Sequence, residues 1–339
     1  MKQVRIAGER RAELVERPTP TLRDGWALVH IEAAPLCAEY KIFRSGRTVE
    51  RLGHEAAGTV VECAGKTTVQ PGDRVVVMPQ YPCGTCEYCR SGEYIYCEDN
   101  LDQDAGTMAE YIAKPAWLLV PIPENVPTDL GSLACCGLGP SYGALARAGA
   151  SAGAAVLVTG LGPVGLGAVV NGVYRGLRVI GVDGNAYRSA LARDLGAVAV
   201  LDPHDPDVLD QIRALAGGRG PVLGVDCSGQ VSAHRLQIDA AARRACLVFV
   251  GESTDTTPIR VSPDLIRKGL TVMGSWHYAL TDVQNVMRVI QEFPGVERLV
   301  THRFPLARVQ EAFEVSESQQ CGKVILQASG GESSGEVRW

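Results

Sequence analysis

Four cysteines constrain what this chain can fold into more than any other feature. Cys83, Cys86, Cys89 and Cys97 follow the spacing C-x2-C-x2-C-x7-C. Thiolates this close in sequence can turn every sulfur toward a common centre, so a lobe over about residues 80–100 should close around one ion. An iron–sulfur run would place its fourth cysteine after three residues and follow it with proline. Here the gap is seven residues and Glu98 follows, so zinc is the expected ion. Four sulfurs fill a tetrahedron and leave no open position, so this zinc should hold structure and not perform chemistry.

The chemistry must come from the rest of the chain. Its 339 residues suit two domains, and a hydrophobic content of 46% can fill sizeable cores. A net charge of −5 offers no general field for nucleic acid or an anionic membrane, and neither partner is expected. No apolar run reaches the length of a membrane span. The first residues, Met1-Lys2-Gln3-Val4-Arg5-Ile6, have no signal-peptide core. Eleven cysteines without an export signal fit a reducing cytoplasm, the expected location. Cys63, Cys227, Cys246 and Cys321 stand alone and read as small buried hydrophobes.

The texture changes near residue 150. Before it, β-rich runs at 27–33, 58–63 and 74–77 alternate with turns such as Gln70-Pro71-Gly72-Asp73, and regular helices are scarce. After it, apolar runs at 155–159, 178–182, 197–201, 222–226 and 246–250 alternate with helical stretches such as 186–195 and 207–215. That alternation predicts a parallel sheet with helices on both faces. The polar, glycine-rich stretch 328–339 reads as a loose tail.

The first run of this second half ends in Gly160-Leu161-Gly162-Pro163-Val164-Gly165. A GxGxxG pattern alone is weak, but here a strand precedes it, a helix follows, and Asp183 ends the next strand. Gly160 permits the tight turn, Gly162 lets backbone approach a pyrophosphate, and Gly165 lets the helix pack near the strand. Pro163 and Val164 open the helix, whose N-terminus offers free N–H groups to phosphates. Asp183 would accept hydrogen bonds from the adenosine ribose and repel a 2′-phosphate, which favours NAD over NADP. Arg188 is a candidate phosphate partner, although a lone arginine on a helix face is more often solvated.

Further metal-binding side chains are scattered through the first half: Cys37 after a strand, His54 and Glu55 as neighbours, and Cys136 in the pair Cys135-Cys136. Two thiolates and an imidazole would leave a fourth position open, but spacing alone does not join them.

Taken together, the chain resembles the zinc-dependent medium-chain alcohol dehydrogenases over roughly residues 1–327. The resemblance rests on Gly53-His54-Glu55-Ala56-Ala57-Gly58, Pro71-Gly72-Asp73-Arg74-Val75, the four-cysteine lobe and the run from Gly160 to Gly165. It implies an α/β chain with a GroES-like, β-rich catalytic domain at 1–145 and a Rossmann, doubly wound parallel-sheet domain at 146–275. A return to the catalytic domain at 276–327 and the tail complete it. Cys37, His54 and Cys136 match the family's catalytic zinc ligands, and Glu55 matches an acid that ligates zinc in some members and only supports the ligands in many others. Cys136 is chosen over Cys135 because the family cysteine stands six residues before the tyrosine matched by Tyr142. The resemblance thus implies NAD and two zinc ions per chain, one catalytic and one structural. It also implies hydride transfer between NAD and an alcohol or ketone, and a homodimer or homotetramer.

One stretch departs from the family. Where it carries Gly or His, then Ser or Thr, then Asp after the first ligand, this chain has Ala38, Glu39 and Tyr40. Glu39 either replaces the hydroxyl that relays the substrate proton or, after a one-residue deletion, takes the aspartate's place. Either way the ordinary relay hydroxyl is missing, and Glu39 is read as catalytic, moving the substrate proton, or as a partner that orients His54. Trp276 and His277, in Gly274-Ser275-Trp276-His277-Tyr278, are substrate-pocket candidates or packing residues. Length and the absence of large insertions resemble the sorbitol and threonine dehydrogenase branches. The expected substrate is a secondary alcohol of a polyol, cyclitol or sugar-like compound. The alternatives are a simple primary or secondary alcohol, or a zinc-stabilised nucleotide-binding protein without activity.

Overall fold

The computed structural model describes residues 1–99, 106–149 and 151–328; the tail expected at 328–339 lies, apart from Ala328, outside the described residues. The chain opens with an antiparallel pair, β1 (Lys2–Gly8) and β2 (Arg11–Glu16). It continues through β3 (Trp26–Leu36), α1 (Tyr40–Ser45), β4 (Ala56–Cys63), β5 (Arg74–Val77) and α2 (Glu87–Arg90). Then come β6 (Tyr111–Pro115), β7 (Leu119–Pro121), α3 (Thr128–Gly131) and α4 (Gly139–Ala148). The strand expected at 27–33 is longer because β3 is paired along both edges, with β4 on one side and with β6 and β15 (Lys323–Gln327) on the other. Every backbone polar group it buries can thereby find a ladder partner. The sheet order is β14-β15-β3-β4-β5-β7, with β6 also on β3, where β14 spans Val300–Pro305. Residues from both chain ends therefore share one core: Phe43 of α1 stacks on Phe313 of α10 (Val309–Ser318) with ring centroids 5.1 Å apart.

The second half builds the expected alternation: β8 (Ala155–Thr159), α5 (Pro163–Tyr174), β9 (Arg178–Val182), α6 (Ala186–Asp194), β10 (Ala199–Leu201), α7 (Val208–Leu215), β11 (Leu223–Asp226), α8 (Val231–Ala240), β12 (Cys246–Phe249) and β13 (Thr271–Gly274). All neighbouring pairs are parallel in the order β10-β9-β8-β11-β12-β13. The order reverses direction between β8 and β11, the switch point where such sheets bind ligands. The strand expected from 197 starts only at Ala199, because the Ala197 N–H closes the end of α6 on the Ala192 carbonyl at 3.0 Å. α9 (Val283–Glu292) leads the chain back to β14. The expected junction at 145/146 falls inside α4, which has Pro140 in its first turn and Gly149 in the left-handed region (φ 67°) at its end.

The glycine turn obeys steric demands. Gly160 has φ 78°, and a Cβ on Gly165 would lie 1.8 Å from the Gly160 carbonyl oxygen, so α5 can follow β8 this tightly only without a side chain there. Gly165→Ala should push α5 off the turn. The expected outcome is at least a tenfold loss of NAD affinity by calorimetry together with a lower melting temperature.

Candidate metal centre and cofactor cleft

The four-cysteine lobe folds as its spacing requires. Sγ–Sγ distances are 3.5 Å for Cys86–Cys89, 3.6 Å for Cys83–Cys97 and 4.0 Å for Cys83–Cys89. Zinc–sulfur bonds of about 2.3 Å put tetrahedral sulfurs about 3.8 Å apart, so the lobe has the size of one zinc. Backbone donors prepare the thiolates. The Cys86 N–H donates to Cys83 Sγ at 3.4 Å and the Cys83 N–H to Cys97 Sγ at 3.4 Å. The Thr85 hydroxyl, with the Thr85 and Cys86 N–H groups, lowers Cys83 to about 6, while burial pushes Cys89 up to about 12. Cys89, Tyr94 and Cys97 pack in the same core as Leu133 and Tyr278.

That second cluster brings together Cys37, His54, Glu55 and Cys136, whose ligand atoms lie within 4.8 Å of one another. Cys37 leaves the end of β3, His54 and Glu55 precede β4, and Cys136 lies just before α4. The Cys37 and Cys136 sulfurs are 3.8 Å apart, again a tetrahedral edge. Cys135 turns away and its thiol faces the His54 carbonyl at 3.5 Å. The contact with Cys136 holds Cys37 well below the usual thiol range, aided by the Lys323 charge against the opposing effect of burial. The same contact keeps Cys136 protonated well above it. Burial raises Glu55 to about 7, and its Oε2 has no partner among the described residues. Upward shifts and an orphaned carboxylate oxygen mark a pocket with excess negative charge, which a divalent cation would relieve. The donor set fits zinc.

Glu39 lies inside this cluster's support. Its Oε1 is 2.9 Å from His54 Nδ1 and its Oε2 accepts the Cys37 N–H at 2.7 Å. Burial pushes the carboxyl up, but the His54 charge and these hydrogen bonds outweigh it and hold Glu39 at about 2. Both oxygens are engaged, so the geometry favours the orienting role over the relay. With Nδ1 held, Nε2 is left for the metal, 3.7 Å from Glu55 Oε1.

A cleft of roughly 1210 Å3 joins Cys37, His54 and Cys136 to Gly160, Gly162, Pro163, Val164, Asp183 and Arg188. Its size suits a dinucleotide with a small substrate. Asp183 Oδ2 accepts the Leu161 N–H at 2.6 Å and Oδ1 the Asn185 N–H at 2.7 Å, which ties the glycine turn to the start of α6. Arg188 is buried and not solvated. It donates to the Cys321 carbonyl at 3.3 Å, and its guanidinium faces Gly162. Trp276 and His277 line the same cleft, the first exposed and the second buried. From α5, Asn171 Nδ2 donates to the Leu138 carbonyl and to Ser141 Oγ, both at 2.9 Å, so the cofactor helix grips the loop that carries Cys136.

Three contributors escaped the sequence reading. Lys323 of β15 donates to Glu55 Oε1 in a fully buried ion pair. Asp226, at the end of β11, accepts from Thr159 Oγ1 at 2.8 Å, Ser228 Oγ at 2.6 Å and the Gly229 N–H at 2.9 Å, which shapes the loop carrying Cys227 and Ser228 along the cleft. Buried Lys114 donates to the Gln80 carbonyl on the cleft wall. A charged residue inside an apolar strand, as in Gly322-Lys323-Val324-Ile325, was the available signal; its partner was not in view.

The chain matches two family models, the alcohol dehydrogenase GroES-like domain over residues 23–124 and the zinc-binding dehydrogenase over residues 163–292. It is 30% identical to an L-threonine 3-dehydrogenase of Bacillus licheniformis over 95% of this chain and 97% of that one. A sorbitol dehydrogenase of Gallus gallus is 29% identical over 95% of this chain and 94% of its own length. Among solved structures, the alcohol dehydrogenase TADH from Thermus sp. ATN1 superposes with a TM-score of 0.91 at 25% identity, over 97% of this chain and all of that one.

Two tests follow from the clusters. Cys89→Ser should lower zinc by one ion per chain and lower the melting temperature. Cys37→Ser should also lose one zinc yet stay folded and bind NAD without turnover, as elemental analysis, thermal melts and NAD titration would record. Glu39→Gln should weaken zinc binding about 10–100-fold in chelator competition. A changed pH dependence of kcat with zinc retained would instead assign Glu39 to proton transfer.

Proposed function

The chain belongs to the zinc-dependent medium-chain alcohol dehydrogenases and is a zinc- and NAD-dependent oxidoreductase, and from that premise we propose that it acts on the secondary alcohol of a polyol, cyclitol or sugar-like substrate. The observation that carries this reading is the continuity of one cleft from the glycine turn to the Cys37–His54–Cys136 cluster, with Trp276 and His277 on its wall. When bound, zinc supplies a Lewis acid for the substrate oxygen, and the nicotinamide accepts or returns hydride. The protein's part is placement. Cys37, His54 and Cys136 would hold the ion, with Glu55 beside them. Glu39 fixes the imidazole, and Lys323 keeps the Glu55 charge tolerable in a buried site. Gly160, Gly162 and the N-terminus of α5 would receive the pyrophosphate, flanked by Pro163, Val164 and Gly165, with Arg188 nearby. Asp183 would take the ribose hydroxyls.

A simple alcohol is the second reading, favoured by the likeness to the Thermus alcohol dehydrogenase. The division into a catalytic unit at 1–145 and 276–327 and a cofactor unit at 146–275 belongs to the proposal. So does a homodimer or homotetramer. β13 is an unpaired edge of the six-stranded sheet, and exposed Ile259, Val261 and Ile266 precede it. Among the described residues no helix is long and apolar enough to cross a membrane. A cytoplasmic location is proposed because thiolate-rich sites need a reducing compartment.

NAD reduction on a panel of polyols and mono-alcohols tests the reading, with higher kcat/KM expected for polyols. NAD should exceed NADP by at least about tenfold, since a like-charge clash at Asp183 is worth more than ~1.4 kcal/mol. Asp183→Ser should narrow that gap, and equal kcat/KM for both cofactors in the unaltered enzyme would remove the assignment.

A further inference from the structure

Five described residues other than glycine have left-handed backbone: Arg10, Gln80, Arg244, His277 and Gln319. Three of them, Gln80, His277 and Gln319, line the cleft. Such conformations are costly and concentrate where a side chain must be aimed. Gln80 and Gln319 have protein partners that account for them. The Gln80 carbonyl accepts from Lys114 Nζ, and Gln319 Oε1 accepts from Arg188 Nη1 at 3.5 Å. His277, with φ 56°, has no such account.

Its ring is fixed nonetheless. It stacks on Tyr278 with centroids 5.3 Å apart and planes 13° from parallel. The Tyr278 hydroxyl donates to the Ala134 carbonyl at 2.7 Å, two residues before Cys136. The residue is 6% exposed, and neither Nδ1 nor Nε2 has a partner among the described residues. Among the described residues, His277 alone of the buried side chains with an unpartnered polar atom lines the cleft. A phenylalanine would stack as well without leaving a donor and an acceptor unsatisfied, so packing does not explain the imidazole.

We propose that His277 determines specificity by binding a second hydroxyl of the substrate, on the carbon next to the reacting carbinol, so that the enzyme takes vicinal diols and longer polyols in preference to mono-alcohols. This rests on the dehydrogenase reading above and names the feature of the substrate that the cleft recognises. Burial, helped by the nearby His54, pushes the imidazole down to about 3, so the ring is neutral and offers one donor and one acceptor. A hydroxyl matches that pair with its own acceptor and donor. A carboxylate or phosphate offers only acceptors, and an ammonium only donors. Sites that hydrogen-bond a substrate hydroxyl reject the analogue lacking it strongly, because their polar groups are then left dry.

The test compares 2,3-butanediol with 2-butanol in the zinc- and NAD-loaded enzyme. The diol should be favoured at least about 100-fold in kcat/KM. His277→Phe should reduce that ratio at least tenfold, by lowering kcat/KM for the diol more than for 2-butanol. His277→Asn tolerates left-handed backbone and retains a donor and an acceptor, so it should keep part of the preference and serves if the Phe variant fails to fold. A ratio under tenfold in the unaltered enzyme, or one unchanged in both variants, overturns the inference while leaving the dehydrogenase reading standing. If the enzyme oxidises no alcohol, that reading falls, and calorimetry of 2,3-butanediol binding to the NAD complex decides the inference alone. At least tenfold weaker binding in the variant supports it; absent binding, or equal affinity in both, overturns it.

Discussion

A buried ion pair joins the two ends of this chain. Lys323 of β15 and Glu55 before β4 are almost completely excluded from solvent, and their contact lies at the cluster where Cys37, His54 and Cys136 meet. Removing one partner of such a pair typically costs about 3–5 kcal/mol, because the other charge is left uncompensated in a medium that solvates it poorly. Burial alone would lower the Lys323 pKa. The charges of Glu55 and Cys37 outweigh that and raise it instead. The lysine thus makes a cluster of anionic donors tolerable before any ion arrives. It can do so only because the chain returns after residue 276 to add β14 and β15 to the first sheet.

The same logic of mutual support extends to the cofactor side. α5 begins at the glycine turn and ends up gripping the loop after Cys136 through Asn171, while Gly167 permits close approach; a Cβ there would lie 1.9 Å from the Gly137 carbonyl oxygen. One helix therefore sets both the backbone that follows the glycine turn and the position of the loop that carries Cys136. Rigid coupling of this kind keeps the reacting atoms of a cofactor and a substrate in register, where misplacement by about 1 Å is expensive. On the opposite wall Glu39 fixes the His54 ring with one oxygen and the Cys37 backbone with the other.

Much of this was legible in the residues. Cys83, Cys86, Cys89 and Cys97 are close in sequence, so their spacing alone required a shared centre, and the Sγ distances near a tetrahedral edge agree with it. Gly160, Gly162, Gly165 and Asp183 sit at separations that a strand–turn–helix–strand unit imposes, and steric demand at Gly165 is a local property of the backbone. The alternation of apolar runs after residue 150 fixed the parallel sheet for the same reason, since each short strand must be buried on both faces.

What the sequence could not decide was everything that depends on distant segments meeting. Cys37, His54, Glu55 and Cys136 were joined by resemblance, not by spacing, because three different elements carry them. Lys323 read as one charge in an apolar strand, and nothing local placed it against Glu55, 268 residues away. The contacts of the Glu39 oxygens with His54 and the Cys37 N–H appear only in the folded structure, since nothing in the residue order places them. For His277 the residue type was known, but its left-handed backbone, its stacking on Tyr278 and its unpartnered nitrogens exist only in the folded cleft. Local patterns set elements and short-range metal sites because their geometry is fixed by a few bonds. Burial, charge compensation and the lining of a cleft are set by packing across the whole chain.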